Sequence, residues 1–287
     1  MAFDNANRSE TYSAPNVLAT DLDGTLIPLA GHHENLKDLD DLAGQLAEHD
    51  VTLVFVTGRH FESVERAIRK FSLPIPHWII CDVGSSLYKL KGETEFEFVS
   101  EYSDHLQDRM QGKSLQELGP ILESLDELRL QEREKQGPFK LSFYCAANRL
   151  EQLRETISNL LIQQETPGEI IVSEDPFNGD GLVDILPSGV SKSYALQWWS
   201  TANRIAAERI VFAGDSGNDW AALTHGYRAV VVGNASSDLK HRVRSAHETN
   251  GWSQRLFVAD VPGTSGVLAG CRSFGLFGDA PSSAPTP

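Results

Sequence analysis

The stretch VLATDLDGTL, residues 17–26, decides the fold of this chain. Its apolar first half predicts a short buried strand, and its second half places Asp21 and Asp23 one residue apart directly after that strand. Two further apolar runs, VTLVFVT at 51–57 and HWIIC at 77–81, predict the next strands. Carboxylates at the end of a buried strand are typical of a site rather than of a core.

Helical patterns separate these strands, and the alternation resumes later in the chain. It predicts an α/β fold, a doubly wound parallel-sheet core of Rossmann-like type with helices on both faces. The helical patterns cover 34–48, 61–71, 191–207 and the residues after Gly217, and the later strands cover 209–213 and 227–232.

The predicted elements of residues 88–187 depart from the regular alternation of strand and helix, and they indicate an inserted α/β cap domain. The expected elements are a hairpin around Lys91 and Gly92, charged helices over 101–135, a strand at 139–146, a helix at 149–164, and strands near 169–172 and 182–186. The catalytic core is then expected at 15–87 and 188–273, between disordered polar tails at 1–14 and 274–287.

Composition excludes several functional classes. The chain has 287 residues, 40% of them apolar, and a formal net charge of −15, which argues against a nucleic-acid partner. Its three cysteines form no zinc pattern and favour a reducing, cytoplasmic setting. The polar start of the chain and the lack of a long apolar run predict neither secretion nor a membrane span.

The paired carboxylates suit phosphoryl chemistry. Asp21 could attack a phosphoryl group and form an aspartyl-phosphate, while Asp23 could protonate the leaving alcohol and then activate water. Gly24 would let the backbone turn sharply and present its N–H groups to the phosphate.

A carboxylate approaches a phosphate only where positive charge offsets their repulsion, which predicts Mg²⁺ and a lysine. Lys192 follows Ser191, a predicted helix N-cap, and would lie at the mouth of the sheet. Thr57 and the Gly58 N–H could bind phosphate oxygens. The expected metal ligands, direct or through water, are Asp21, the Asp23 carbonyl, Asp215, Asn218 and Asp219.

Four segments in this order, DLDGT, TGR, SKSYAL and GDSGND, resemble the motifs of the haloacid dehalogenase superfamily of phosphatases, in the subfamily with a large α/β cap. Within it, CDVGSSLY, PFKLSFYC, LVDILPSGVSK and VVVGNASSDLK are similar to sucrose-6-phosphate phosphatases, over roughly residues 16–272. The resemblance implies that Asp21 is the nucleophile, Asp23 the acid and base, and that Thr57 and Lys192 bind phosphate while Asp215 and Asp219 bind Mg²⁺. It also implies that the sugar phosphate lies near Arg59, Ser85 and Lys140.

The resemblance leaves alternatives open, because Gly24 and His60 differ from many sucrose phosphatases. The expected substrate is sucrose-6-phosphate, and the alternatives are trehalose-6-phosphate, glucosylglycerol phosphate and mannosyl-3-phosphoglycerate. A phosphomutase, or a non-catalytic partner of a sugar-phosphate synthase, is a further alternative. Asp184 could orient Lys192 or the cap hinge, or be a simple strand-end carboxylate.

Overall fold

The computed structural model describes residues 16–174 and 178–278. Among these residues, no helix combines the length and the apolar content that crossing a bilayer requires. In chain order the strands are β1 (Val17–Thr20), β2 (Thr52–Val56), β3 (Trp78–Cys81), β4 (Ser86–Lys91), β5 (Glu95–Phe98), β6 (Arg129–Leu130), β7 (Leu141–Ala146), β8 (Gly168–Glu174), β9 (Asp180–Pro187), β10 (Ile210–Gly214), β11 (Arg228–Val231) and β12 (Leu256–Val258). The α-helices are α1 (His33–Glu48), α2 (Phe61–Phe71), α3 (Ser100–Arg109), α4 (Gly119–Glu123), α5 (Leu150–Gln163), α6 (Lys192–Ala202), α7 (Trp220–Leu223), α8 (Ser237–Thr249) and α9 (Gly263–Ser273).

Eight strands form one sheet in the order β12-β11-β10-β1-β2-β3-β4-β5. Every neighbouring pair from β12 to β3 is parallel, and β4 and β5 continue the sheet as an antiparallel hairpin. The chain leaves β1 on one side toward β2 and returns on the other side at β10, so the strand order reverses at β1. The predicted doubly wound core is confirmed, and this reversal is where such sheets bind ligands.

Helices cover both faces of this sheet. On one face α1, α2 and α9 bury apolar side chains such as Leu42 and Val64 against the strands. On the other face α6, α7 and α8 do the same with side chains such as Leu196 and Val243. The strands are therefore apolar on both faces, which explains why their sequences read as continuous hydrophobic runs.

The hairpin of β4 and β5 belongs to the large sheet. The sequence prediction placed it in the inserted domain at 88–187, and the pairing of β4 with β3 corrects that assignment. Tyr88 of β4 stacks on Phe61 of α2, with ring centroids 4.0 Å apart. The hairpin extends the sheet because β3 would otherwise present an unpaired edge.

A second, antiparallel sheet of order β6-β7-β9-β8 forms the inserted layer, and α5 covers one of its faces. The predicted charged helices over 101–135 are only partly correct, since α3 and α4 are helical but Arg129–Leu130 is a strand. Leu128 is buried and the Gln131 N–H donates to the Ser142 carbonyl, so pairing with β7 overrides helix propensity here. The helix predicted over 191–207 ends at Ala202, before Arg204 adopts positive φ.

The C-terminal end of the described chain is packed rather than loose. Leu276 and Phe277 are buried, and Phe277 lies against His49 with ring centroids 5.9 Å apart. The tail predicted over 274–287 is therefore wrong for residues 274–278, because these apolar side chains cover the end of α1. The rest of that tail and the tail at 1–14 lie outside the described residues.

Candidate active site

Functional side chains follow the carboxyl ends of three neighbouring strands. Asp21 follows β1, Thr57 follows β2 and Asp215 follows β10. The Asp21 N–H donates to the Ala213 carbonyl at 2.9 Å, and the Thr57 N–H donates to the Ile80 carbonyl at 2.8 Å. Since the strands are parallel and adjacent, the three side chains meet at one edge of the sheet.

The turn after Asp21 brings the chain close to Asp215. Residues Leu22–Leu26 form a single wide helical turn in which Gly24 has φ +76°. A Cβ on Gly24 would lie 2.8 Å from the Asp215 carboxyl carbon, so a side chain has no room there. The Thr25 hydroxyl donates to Asp215 Oδ1 at 3.0 Å. Glycine is needed both for the positive φ and for this close approach.

Lys192 is the first residue of α6, and the Ser191 side chain caps this helix by accepting from the Tyr194 N–H. Only 1% of Lys192 is exposed. Its ammonium donates to Asp21 Oδ1 at 2.7 Å, Asp219 Oδ1 at 2.8 Å and Asn218 Oδ1 at 2.9 Å. Burial by itself would lower the pKa of Lys192, but the charges of Asp21 and Asp219 outweigh it and raise the pKa.

Asp219 fixes the loop that follows β10. Its Oδ2 accepts from the N–H groups of Asp215 and Ser216, both at 3.1 Å, and its Oδ1 accepts from Lys192. Asn218 also accepts from Lys192 and from the Ser216 hydroxyl. Asn218 and Asp219, two of the predicted metal ligands, therefore bind the Lys192 ammonium in this structure.

Three carboxylates converge here. One oxygen from each of Asp21, Asp215 and Asp219 lies within 4.8 Å of the others. Burial raises the pKa of Asp21, and the nearby Asp219 and Asp215 charges add to this against the opposing charge of Lys192. Burial and Asp219 raise the pKa of Asp215 to about 7. Three carboxylates facing one lysine leave excess negative charge, and these hard oxygen donors fit Mg²⁺.

Asp23 is held by Arg59 rather than by the lysine. The Arg59 guanidinium donates to both Asp23 oxygens at 2.6 Å, in a bidentate pair. It also donates to the Ser63 hydroxyl at 3.0 Å. Burial opposes the charge on Arg59, but the hydrogen bond and charge of Asp23 raise its pKa. Arg59, predicted beside the sugar phosphate, thus contacts the candidate acid and base directly.

Thr57 and Gly58 line the same edge. Thr57 is buried, and its hydroxyl oxygen accepts from the Arg59 N–H at 3.2 Å. The Val83 N–H donates to the Thr57 carbonyl at 3.1 Å, which anchors this turn to the one after β3. The Thr57 hydroxyl hydrogen remains available to a ligand, because the oxygen serves here as an acceptor.

A second buried ion cluster joins the two layers. Lys140, next to β7, places its ammonium 3.2 Å from Asp82 Oδ1 and 4.0 Å from Asp184 Oδ1. Burial raises the pKa of Asp82 although Lys140 opposes the shift. Asp184 also accepts from the Ser142 hydroxyl at 2.5 Å. Asp184 therefore faces Lys140 and not Lys192, which corrects one of its predicted roles.

The turn after β3 is strained. Asp82 and Val83 have φ of +52° and +59°, in the left-handed region that a β-branched residue rarely adopts. Ser85 is buried and its hydroxyl donates to the Asp82 carbonyl at 3.0 Å, so it supports the turn. Gly84 packs against Ser191 so closely that a Cβ would lie 2.5 Å from the Ser191 carbonyl carbon. The strained turn therefore packs directly against the start of α6.

Sequence reasoning missed two residues of this region, Asp82 and Asn234. Asp82 follows β3 as Asp21 follows β1, so the strand-end rule could have identified it. Asn234 lies in the loop after β11, where no charge pattern marks it. Its side chain donates to the Gly24 carbonyl at 2.9 Å.

A doubly wound sheet carries an inserted α/β layer, one motif follows each of β1, β2 and β10, and a buried lysine begins α6. This combination is that of a phosphatase of the haloacid dehalogenase superfamily. The family model for sucrose-6F-phosphate phosphohydrolase matches residues 14–275. The chain therefore belongs to the sucrose-6F-phosphate phosphohydrolase family.

Curated relatives agree with this assignment. A putative HAD-like hydrolase of Nitrosococcus oceani is 32% identical over 85% of this chain, and the chain spans 65% of that protein's length. Mannosylfructose-phosphate phosphatase of Agrobacterium fabrum is 29% identical over 91% of this chain and 97% of its own.

A solved structure shows the same fold. The sucrose-phosphatase from Synechocystis sp. PCC6803, solved in complex with sucrose and phosphate, superposes with a TM-score of 0.73 at 23% identity. The match covers 91% of this chain and 98% of that chain. At this identity the likeness concerns the fold.

Proposed function

We propose that this protein is a Mg²⁺-dependent phosphatase that hydrolyses a sugar phosphate, with sucrose-6-phosphate as the leading substrate. The position of Asp21 carries the proposal. Its buried carboxylate ends the central strand and lies 2.7 Å from the Lys192 ammonium, beside Asp215. A carboxylate held in this way can act as a nucleophile toward phosphorus.

The reaction has two steps. In the first, an Asp21 oxygen attacks phosphorus, the bond from phosphorus to the sugar oxygen breaks, and Asp23 gives its proton to that oxygen. In the second, a water oxygen attacks the phosphorus of the aspartyl-phosphate, Asp23 takes a proton from the water, and the bond to Asp21 breaks. The free sugar and inorganic phosphate leave, and both carboxyl groups return to their starting states.

Arg59 sets a condition on the first step. Its guanidinium occupies both Asp23 oxygens, which must be free to give a proton to the leaving sugar and to take one from water in the second step. Donation of a proton to the leaving sugar needs the protonated carboxyl. We therefore infer that Arg59 moves from Asp23 toward the substrate when the phosphate is bound.

The charges at the site support a metal requirement. Lys192 is paired with Asp21 and Asp219, and Arg59 with Asp23, so carboxylates already offset the charge of each cation before a phosphate dianion binds. When bound, Mg²⁺ supplies charge that reduces the repulsion between the phosphate and the nucleophile. Asp21, Asp215 and the Asp23 carbonyl would hold it, with Asn218 and Asp219 assisting directly or through water.

The phosphate oxygens have partners on three elements. The Thr57 hydroxyl and the Gly58 N–H lie after β2, the Gly24 N–H lies after β1, and the Lys192 ammonium begins α6. We expect these donors to face the phosphoryl group that Asp21 would attack. Donors aimed at developing charge in a water-poor site stabilise the transition state strongly.

The sugar is proposed to lie on the inserted layer. Lys140, Asp82 and Asp184 present polar groups between the two layers, and carboxylates accept hydrogen bonds from sugar hydroxyls. Two similar proteins support a disaccharide phosphate as the substrate. One is named a mannosylfructose-phosphate phosphatase, and the other, a sucrose-phosphatase, was solved in complex with sucrose. The alternatives are the phosphates of trehalose and glucosylglycerol, and mannosyl-3-phosphoglycerate.

The test is inorganic phosphate release from a panel of these substrates together with glucose-6-phosphate, with Mg²⁺ and with EDTA. We expect Mg²⁺-dependent release with the highest kcat/KM for sucrose-6-phosphate. A preference for another member of the panel would overturn the assignment of sucrose-6-phosphate as the substrate but leave the phosphatase mechanism intact. No release from any of them would contradict the proposed function, and stoichiometric rather than steady release would favour a phosphomutase.

A further inference from the structure

Asn234 joins three parts of the active site through one side chain. It lies in the loop after β11, and its amide donates to the Gly24 carbonyl at 2.9 Å and to Asp215 Oδ2 at 3.4 Å. Its Oδ1 accepts from the Gly263 N–H at 2.9 Å. Although Asn234 is exposed, its amide hydrogens and its carbonyl oxygen are directed at protein groups rather than only at solvent.

Gly263, the donor to Asn234, lies beside a residue that is hydrogen-bonded to the turn after Asp21. Gly263 begins α9, and the next residue, Thr264, donates from its buried hydroxyl to the Leu26 carbonyl at 2.7 Å. The Gly263 N–H thus fixes Asn234 Oδ1, and this contact sets the direction in which Asn234 Nδ2 donates.

Asp215 needs such a support. The Thr25 hydroxyl fixes Oδ1 at 3.0 Å, and Asn234 is the donor on Oδ2. The Asp215 carboxylate lies among other carboxylates that repel it, and a Cβ on Gly24 could not fit beside it. Without a donor on Oδ2, the Asp215 carboxylate could rotate about its Cβ–Cγ bond to relieve this repulsion. Its oxygens would then no longer face the position of the metal.

We propose that Asn234 is a positioning residue that orients Asp215 and the Gly24 turn for binding a divalent cation. The inference rests on the proposed metal dependence of the site. Asn234 acts through Asp215, since the Nδ2 group that faces Asp215 donates hydrogen bonds and offers the cation no lone pair, while Oδ1 accepts from the Gly263 N–H. Outer partners of metal ligands typically change affinity by about 10- to 100-fold when removed.

The experiment measures Mn²⁺ binding directly by electron paramagnetic resonance, with Mn²⁺ in place of Mg²⁺. We expect Asn234→Ala to bind Mn²⁺ at least tenfold more weakly than the wild type. The matched control is Asn250→Ala, which also removes an exposed asparagine amide but one that only caps α8 through the Ala246 carbonyl. It should bind Mn²⁺ like the wild type.

The outcomes separate this inference from the proposed function. Tight Mn²⁺ binding by the wild type, with equal binding by Asn234→Ala, overturns the positioning role and leaves the phosphatase intact. No Mn²⁺ binding by the wild type overturns both. A lower Tm in EDTA with unchanged Mn²⁺ affinity would show a merely structural role and also overturn the inference.

A second variant covers the case in which the alanine variant does not fold. Asn234→Asp keeps an acceptor for the Gly263 N–H but cannot donate to Gly24 or Asp215. Circular dichroism establishes that this variant is folded, and we expect it to bind Mn²⁺ at least tenfold more weakly than the wild type, although its added negative charge would itself attract the cation. An unchanged Mn²⁺ affinity of the folded variant would contradict the inference.

Discussion

Lys192 shows how a single charged side chain is kept ionised inside this protein. Taking an ammonium out of water costs several kcal/mol unless partners replace the water. Three oxygens within 2.9 Å do so, two of them from the carboxylates of Asp21 and Asp219. The same contacts hold the ammonium beside the nucleophile, so what keeps the lysine charged also positions it.

Asp215 predicts a pH dependence of the metal-free protein. Its pKa is raised from 3.8 to about 7 by burial and Asp219, so between about pH 4 and pH 7 the folded state holds a proton that the unfolded state has lost. Stability without metal should therefore fall as the pH rises through this window. Mg²⁺ prefers the ionised carboxylate, so the rise in Tm on adding Mg²⁺ should be larger at pH 8 than at pH 5.5.

Thermal unfolding in EDTA and in Mg²⁺ at the two pH values checks this. Asp215→Asn is the control, because it removes one titrating group and should reduce the metal-free pH dependence by the contribution of Asp215. An equal Mg²⁺ effect on Tm at both pH values would contradict the prediction.

At the residue level the sequence predicted which side chains lie together at the edge of the sheet better than which ones form ion pairs. Asp21, Thr57, Lys192 and Asp215 follow from strand ends and motif order, both of which are local patterns. The pairs of Arg59 with Asp23 and of Lys140 with Asp82 depend on how separate segments meet. Sequence alone gives residue types for such pairs but not their distances.

At the element level, the turn after β3 supports the start of α6. We predict that Gly84→Ala lowers the free energy of unfolding by about 2–5 kcal/mol, since it adds strain at φ +103° and a clash with the Ser191 backbone. Gly92→Ala is the matched control, with φ +75° and no atom within 4 Å of the added carbon. It should cost only about 1–2 kcal/mol.

Urea denaturation of both variants measures the difference. Phosphate release should also fall in Gly84→Ala alone, because a displaced α6 moves Lys192. Equal destabilisation by the two variants would show that the contact between the turn and α6 does not matter.

The elements themselves were largely predictable where periodicity is local. The α2 helix was predicted with its observed bounds, Phe61–Phe71, and β7 lies within the predicted strand. The hairpin of β4 and β5 was predicted, but its assignment to the inserted layer was wrong, because strand pairing partners are decided by tertiary contacts. The short strand Arg129–Leu130 was missed for the same reason.

At the level of the whole molecule, an acidic protein binds an anionic group. The chain carries a formal charge of −15, and the cations at the cleft are paired with carboxylates. Long-range attraction of a phosphate is thus weak, and we expect binding to depend on local charge that a metal would bring. The need for local positive charge stays a prediction from composition, and the carboxylates of Asp21, Asp215 and Asp219 converge where a metal would supply it.

The most direct measurement of the central claim is Mg²⁺-dependent phosphate release by Asp21→Asn on the best substrate of the panel. Asp40→Asn, an exposed carboxylate on α1, is the control, and circular dichroism establishes that both variants are folded. We predict that Asp21→Asn loses at least a thousandfold in kcat, because an amide cannot form the acyl phosphate, while Asp40→Asn stays at the wild-type rate. Turnover by folded Asp21→Asn within tenfold of the wild type would contradict the assignment of Asp21 as the nucleophile.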